Sequence, residues 1–81
     1  MERTPLRELV LHLARGLVRE PGQVRVHEHV EDDATVLELE VSPADTGRVI
    51  GRDGRTANAM RVLLDALARR RGEKVELEIL D

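Results

Sequence analysis

The sequence predicts an α+β domain in which helices cover one face of a three-stranded sheet. Along the 81 residues, the spacing of the apolar residues predicts a helix, two strands, two helices and a final strand, in that order. Each predicted strand is apolar at alternate positions, and both long helices carry a single apolar stripe. One helical layer packed on one sheet face would bury all of these residues. The length suits one domain, and we therefore assign residues 1–81 to a single unit.

The first element is an amphipathic helix. Thr4 and Pro5 are residue types favoured at an N-cap and at the first helical position. Pro21 and Gly22 mark the turn that follows the helix. Its apolar stripe has the spacing of one helical face and consists of Leu6, Leu9, Val10, Leu13, Ala14 and Leu17.

Two strands with alternating apolar residues come next. Glu28 interrupts the apolar face of the first strand, and the polar run from Glu31 to Ala34 is short enough for a hairpin connection. The second strand is predicted from Thr35 to Val41. The predicted inward residues are Val24, Val26 and Val30 in the first strand, and Leu37, Leu39 and Val41 in the second.

A short helix and a long helix follow, and a third strand ends the chain. The run Ser42 to Asp45 predicts a helix start with Ser42 as the cap. We expect the long helix from near Arg55 to about Arg71, with Gly72 at the position where a C-terminal glycine is common. Its predicted core stripe is Met60, Leu63, Leu64, Leu67 and Ala68, and the third strand turns Val75, Leu77 and Ile79 inward.

Charge is distributed unevenly along the chain. The net charge is −3, yet residues 46–72 contain seven arginines against two aspartates, which gives +5, and the remaining residues contribute −8. One basic segment on an acidic domain is compatible with a polyanionic ligand at a single place.

The composition excludes several classes of function. The sequence contains no Phe, Tyr or Trp, so bases cannot stack on aromatic rings as they do on many RNA-binding sheets. It contains no cysteine, which excludes disulfides and cysteine metal sites. No apolar run approaches the length of a membrane helix, and the N-terminus does not resemble a secretion signal. We expect a cytoplasmic protein that is not associated with a membrane.

The segment between the second and third helices is the strongest functional candidate. Gly51 and Gly54 bracket Arg52 and Asp53, and glycines at both ends allow a sharp turn and the close approach of a ligand. The turn leads into the N-terminus of the long helix, where backbone N–H groups without helical partners favour phosphate. Arg48, Arg52 and Arg55 add guanidinium groups suited to phosphate.

These residues resemble a known signature. The run Val49-Ile50-Gly51-Arg52-Asp53-Gly54-Arg55-Thr56, followed by Ala59-Met60-Arg61-Val62-Leu63-Leu64, is similar to the GxxG segment of KH domains. The order of elements resembles the bacterial type II KH arrangement, and the length resembles the small single-KH proteins of the KhpA family. The resemblance extends from Leu6 to Leu80 and implies a type II KH fold with a mixed three-stranded sheet.

The resemblance also implies a function. KH domains bind about four nucleotides of single-stranded nucleic acid with the GxxG loop on the sugar-phosphate backbone. The resemblance implies that Gly51, Arg52, Asp53 and Gly54 contact the sugar-phosphate backbone, and that Val49, Ile50 and Thr56 form or support the groove floor. Together with the phosphate-binding guanidinium groups of Arg48 and Arg55, these are the predicted RNA-binding residues. Proteins of this family are described as RNA chaperones or regulators that act with a longer KH- and R3H-containing partner and are linked to cell-wall homeostasis and cell length.

Asp53 departs from what phosphate binding favours. Its carboxylate lies in the loop that phosphate should approach, so we expect weak, salt-sensitive binding by the isolated domain. An alternative is therefore a protein-interaction or dimerisation module that binds RNA only in a complex, as a homodimer or with the longer KH/R3H protein. Val36 and Leu80, predicted on the exposed sheet face, would extend such an interface.

Other candidate sites are weaker. His27 and His29 share one strand face, but no third metal ligand lies nearby in the sequence, and the acidic run Glu31-Asp32-Asp33 lacks the spacing of a calcium loop. Ser42 and Asp45 form no nucleophile–base pattern with a histidine. We expect no enzymatic activity, metal, cofactor or small-molecule substrate.

Overall fold

The computed structural model describes residues 5–80 and contains three helices and three strands. Helix α1 spans Pro5–Leu17, α2 spans Thr46–Ile50 and α3 spans Arg55–Arg70. Strands β1, β2 and β3 span Arg25–Glu31, Ala34–Glu40 and Val75–Ile79. Short 3-10 turns occupy Pro21–Gln23, Pro43–Asp45 and Arg52–Gly54. The predicted order of elements is confirmed, while the proposed cap Thr4 lies outside the described residues.

The sheet is mixed, with β2 at its centre. β1 pairs antiparallel with β2, and β2 pairs parallel with β3. The β1–β2 connection is a two-residue turn in which Asp32 and Asp33 adopt φ of 50° and 65°. Two left-handed residues are what a tight hairpin requires, and aspartate tolerates this conformation better than most residues.

The core lies between the helices and one face of the sheet. Its buried centre is formed by Leu6, Val10 and Ala14 of α1, by most of the inward residues of the strands and by the inner face of α3. The register explains the alternation, because Leu37 pairs with Leu77 and Leu39 pairs with both Val26 and Ile79 on the same face. The predicted three-stranded sheet with helices on one face is therefore confirmed.

Several apolar residues differ from their predicted environments. Leu17 and Leu63, both predicted in core stripes, are 39% and 41% exposed, and Val30 is 73% exposed because it lies at the turn end of an edge strand. Val36, predicted on the exposed face, is only 3% exposed. It belongs to the central strand between His29 and Glu76, whose longer side chains flank it, and it is therefore not available for an interface. Leu80 is half-buried.

A buried carboxylate connects α1 to the start of α2. Asp45 is 1% exposed, and its oxygens accept hydrogen bonds from the backbone N–H groups of Arg19 at 3.2 Å and Glu20 at 3.1 Å. Ser42 makes no side-chain capping hydrogen bond. The prediction that Ser42 caps the helix is wrong, and Asp45 instead fixes the preceding connection against this corner of the fold.

Both edge strands receive a hydrogen bond from an arginine on a helix. Arg7 of α1 donates from Nε to the carbonyl oxygen of Val26 at 3.1 Å. Arg61 of α3 donates from Nε and Nη2 to the carbonyl oxygen of Leu77 at 3.2 and 3.1 Å.

No helix within residues 5–80 is both long enough and apolar enough to cross a membrane.

Candidate nucleic-acid interface

The turn between α2 and α3 requires glycine at its first position. Gly51 adopts φ 78° and ψ 171°, a region that residues with a side chain essentially do not occupy. A Cβ at this position would lie 2.3 Å from Oγ1 of Thr56. Thr56 is half-buried and packs directly against Gly51, so the backbone of the turn lies close to the first turn of α3.

The remaining three residues form a tight 3-10 turn whose last two residues are left-handed. Asp53 and Gly54 have φ of 55° and 76°. The N–H of Gly54 donates to the carbonyl oxygen of Gly51 at 3.1 Å, and the N–H of Arg55 donates to that of Arg52. A Cβ on Gly54 would have no neighbour closer than 3.9 Å. The two glycines therefore differ, because Gly51 is needed for space as well as conformation and Gly54 for conformation alone.

The exposed side chains of the turn are charged. Arg52, Asp53 and Arg55 all face solvent, and none has an ion-pair partner among residues 5–80. They surround the N-terminus of the 16-residue helix α3, whose dipole adds positive potential there. Two unpaired guanidinium groups and one carboxylate leave this end of α3 positive.

The other predicted site residues have different environments. Arg48 lies 3.4 Å from the buried carboxylate of Asp45, so part of its charge is already balanced. Val49 is fully buried and Ile50 is half-buried, as expected for residues that support the loop. The nine predicted residues are consecutive in the sequence, and the structure places Gly51, Arg52, Asp53, Gly54 and Arg55 at the outer surface of this segment.

The sequence pattern does not predict two features of this region. The position of Asp45 near a helix start predicts a role at that helix end, whereas its carboxylate accepts hydrogen bonds from a loop about 25 residues earlier. The outer face of α3 carries an exposed apolar stripe of Ala59, Val62, Leu63 and Ala66, with Val62 69% exposed. The helical spacing of Ala59, Val62 and Ala66 was a signal that could have identified this stripe.

The alternative sites are surface groups. His27 Nε2 lies 3.0 Å from Oε1 of Glu40, and His29 Nε2 lies 3.3 Å from Oε2 of Glu31, with both histidines exposed. Within the described part of the chain, no group of three or more histidine or acidic side chains is placed to hold a metal ion.

Several curated proteins similar to this chain carry the same name, RNA-binding protein KhpA. The chain is 43% identical over 76 residues to an RNA-binding protein KhpA of Halalkalibacterium halodurans, covering 94% of this chain and all of the relative. It is 46% identical over 70 residues to RNA-binding protein KhpA of Leifsonia xyli subsp. xyli, covering 86% and 90% of the two chains. It is 40% identical over 76 residues to RNA-binding protein KhpA of Bacillus subtilis, covering 94% of each.

Solved structures share the fold. The chain is similar to Era in complex with MgGDPNP and nucleotides 1506-1542 of 16S ribosomal RNA, with a TM-score of 0.59, 22% identity and coverage of 91% of this chain. Aquifex aeolicus Era bound to GDP and aluminium fluoride gives a TM-score of 0.58 at 24% identity over 95% of this chain. The chain spans only 28% and 31% of those two proteins, so the likeness concerns the fold of one part of them.

A family model of KH domains matches most of the chain, in agreement with the geometry of the turn and the topology of the sheet. The family model described as KhpA/KhpB, KH domain matches residues 7–79, which include every helix and strand apart from the first two residues of α1. The mixed sheet, the helices on one face and the GxxG turn are those of a type II KH fold. The chain therefore belongs to the KhpA/KhpB KH-domain family.

Proposed function

We propose that this protein binds single-stranded RNA and holds its sugar-phosphate backbone at the turn Gly51–Gly54. The observation that carries the proposal is the geometry of this turn. Its left-handed backbone exposes Arg52 and Arg55 beside the N-terminus of α3, and neither arginine has an ion-pair partner within the described residues. Exposed backbone, unpaired guanidinium groups and a positive helix end together favour phosphate. The name RNA-binding protein given to the KhpA relatives supports the same class of ligand.

The contacts divide into two groups. Gly51, Arg52, Asp53, Gly54 and Arg55 lie at the surface and form the contacts to the sugar-phosphate backbone. Val49, Ile50 and Thr56 support the turn from within, and Arg48 contributes charge at its edge while remaining tied to Asp45.

Replacement of one loop charge tests this proposal. Arg52→Asp introduces repulsion where phosphate approaches, so affinity for a short unstructured RNA should fall at least tenfold in a fluorescence anisotropy titration. The melting temperature should not change, because the Arg52 side chain is exposed and unpaired. Arg69→Asp is the matched control, since Arg69 is also exposed but lies about 21 Å along α3 from Arg55. Unchanged binding by Arg52→Asp would refute the proposal.

The wider role follows from the family. We propose that the protein acts in the cytoplasm as an RNA chaperone or post-transcriptional regulator, without enzymatic activity, and that it works with a longer KH- and R3H-containing protein in cell-wall homeostasis. Deletion of the gene should alter cell length, and the Arg52→Asp protein should fail to restore it. Full restoration by that variant would separate cell length from RNA binding.

A second candidate function is association with another KH domain through α3. The stripe Ala59, Val62, Leu63 and Ala66 is apolar and exposed over two turns. In a two-fold arrangement centred between Val62 and Leu63, Ala59 would face Ala66 of a second copy, and these small side chains allow close approach of the helices. We propose that this face forms a homodimer, and that the longer KH protein is the alternative partner for the same face.

Sedimentation separates these possibilities. Val62→Glu should shift the protein from dimer to monomer in analytical ultracentrifugation, whereas Lys74→Glu, an exposed charge change outside the stripe, should not. A wild-type protein that is monomeric and binds RNA would exclude the homodimer. A monomer that pairs with the longer protein only when Val62 is present would assign the stripe to the heterodimer.

A further inference from the structure

A groove runs between α3 and the free edge of β3. Its volume is about 240 Å³, and Leu64, Val75 and Leu77 supply apolar surface. Arg61, Asp65 and Glu76 supply its polar groups. Arg61 is six residues after Arg55, which places it about 9 Å along the helix from the end of the phosphate-binding turn. A strand of four nucleotides held by that turn would reach this distance.

Arg61 is held in one orientation in this groove. Its Nε and Nη2 both donate to the carbonyl oxygen of Leu77, at 3.2 and 3.1 Å. Guanidinium is planar and carries five N–H groups, so three remain after these two hydrogen bonds. Because the plane of the group is fixed by Leu77, the remaining donors have a defined direction.

Asp65 lies one helical turn beyond Arg61 on the same side of α3. Acidic and basic side chains at this spacing commonly pair, yet no ion pair within 4.0 Å joins these two, because Arg61 is bound to Leu77. Asp65 has no hydrogen-bond or ion-pair partner among residues 5–80. The wall of the groove therefore presents fixed donors followed by a free acceptor.

We propose that Arg61 and Asp65 select cytosine in the bound RNA. Along its Watson–Crick edge cytosine presents O2 and N3, two neighbouring acceptors, followed by the N4 amino donor. Arg61 would donate to O2 and N3, and Asp65 would accept from N4. Uracil has a donor at the middle position, adenine has a single acceptor beside its amino group, and guanine has two donors beyond one acceptor. Cytosine is thus the base whose edge matches donor, donor, acceptor.

The lining of the groove favours recognition of a base by hydrogen bonds over recognition by stacking. With no Phe, Tyr or Trp in the sequence, a base can pack only against aliphatic side chains or the guanidinium plane. Leu64 and Leu77 line the groove beside Arg61 but are only 2% and 5% exposed, so they leave little surface for stacking. Base identity is then read by hydrogen bonds more than by stacking.

Octanucleotides test the assignment, which rests on the proposed RNA-binding function. A uridine octamer in which two interior positions are replaced by C, A or G avoids stable secondary structure. Wild-type protein should bind the C-containing octamer about tenfold more tightly than the other three. Arg61→Lys keeps the charge but loses the planar fork, so it should reduce the preference below twofold while binding of the uridine octamer is retained. Asp65→Asn should also abolish the preference, and Glu76→Gln, an acid in the same groove, should not.

The outcomes distinguish this inference from the function on which it rests. Equal affinity for all four octamers in the wild type, or a cytosine preference that survives both Arg61→Lys and Asp65→Asn, overturns base selection and leaves RNA binding intact. Equal loss for every octamer in a folded Arg61→Lys protein assigns Arg61 to the phosphates and also overturns it. If no octamer binds, RNA binding itself fails. Circular dichroism of each variant establishes that it is folded.

Discussion

At the scale of single residues, the two glycines of the turn have different tasks. Gly51 combines an extended left-handed conformation with direct contact to Thr56, whereas Gly54 occupies an ordinary left-handed position with open space around it. The spacing Gly-x-x-Gly suggests two equivalent hinges. The structure shows one close-packed position and one purely conformational position.

This difference predicts unequal effects of alanine. Gly51→Ala should lower the free energy of unfolding by about 2–3 kcal/mol, because backbone strain and the clash with Thr56 add to each other. Gly54→Ala should cost about 1 kcal/mol, the usual penalty for a side chain in this conformation. Urea denaturation of the two variants measures both values. Equal losses would contradict the role assigned to the Gly51–Thr56 contact.

Asp53 is explained by conformation as much as by charge. Its φ of 55° favours aspartate, asparagine or glycine, and the carboxylate lies where phosphate is proposed to approach. Asp53→Asn keeps the conformation and removes the negative charge.

We therefore expect Asp53→Asn to bind RNA about two- to fivefold more tightly, as measured by anisotropy at low salt. Asp33→Asn is the matched control, because Asp33 is also left-handed and exposed but lies in the β1–β2 turn. Its RNA affinity should equal that of the wild type. Weaker binding by Asp53→Asn would show that the carboxylate itself contributes to recognition.

At the scale of elements, Asp45 fixes α2 to the connection after α1. Helix α2 has only five residues, too few to be stable without tertiary support. The carboxylate of Asp45 supplies that support through Arg19, Glu20 and Arg48. The position of the turn Gly51–Gly54, which directly follows α2, depends on this support.

Asp45→Ala should lower the free energy of unfolding by about 2–4 kcal/mol, because two backbone donors lose a charged acceptor in a buried place. Asp45→Asn, which retains one acceptor oxygen, should lose less. Glu78→Ala, the removal of an exposed acid, should change stability by less than about 0.5 kcal/mol. A loss below 1 kcal/mol for Asp45→Ala in urea denaturation would show that the connection is held by packing alone.

Hydrophobic periodicity was sufficient to predict the elements but not their surroundings. The alternation in β2 and β3 placed Leu37, Leu39 and Leu77 correctly, since a two-residue period has one buried phase. The same logic failed for Val36, which is buried by its position in the central strand, and for Leu63, which lies beyond the width of the core. Sheet order and helix rotation are set by packing between distant segments. The role of Asp45 depends on such packing and could not be read from its neighbours in sequence.

At the scale of the whole molecule, much of the positive charge is already engaged. Of the seven arginines in residues 46–72, Arg48 pairs with Asp45, Arg71 pairs with Glu73 and Arg61 binds a carbonyl. Arg69 and Arg70 lie at the far end of α3. Among residues 5–80, Arg52 and Arg55 beside the turn have no ion-pair partner.

The salt dependence of RNA affinity should therefore be shallow. Two neutralised phosphates predict a slope of about −1.4 for the logarithm of affinity against the logarithm of salt concentration, whereas all seven arginines would give about −4.9. Arg55→Gln should reduce the slope by about 0.7. Anisotropy titrations between 50 and 300 mM KCl give the slope directly, and a value steeper than about −3 would mean that the distal arginines also contact RNA.

The two helix arginines that bind the outer strands affect how copies of the protein behave at high local concentration. Arg7 and Arg61 each occupy a main-chain acceptor at one border of the sheet, so neither border offers an uninterrupted row of groups to a neighbouring chain. A long transcript that gathers many copies raises their local concentration and with it the risk that sheets fuse into fibrous assemblies. Because both borders are partly occupied, pairing of one sheet with another is disfavoured even where many copies are held close together.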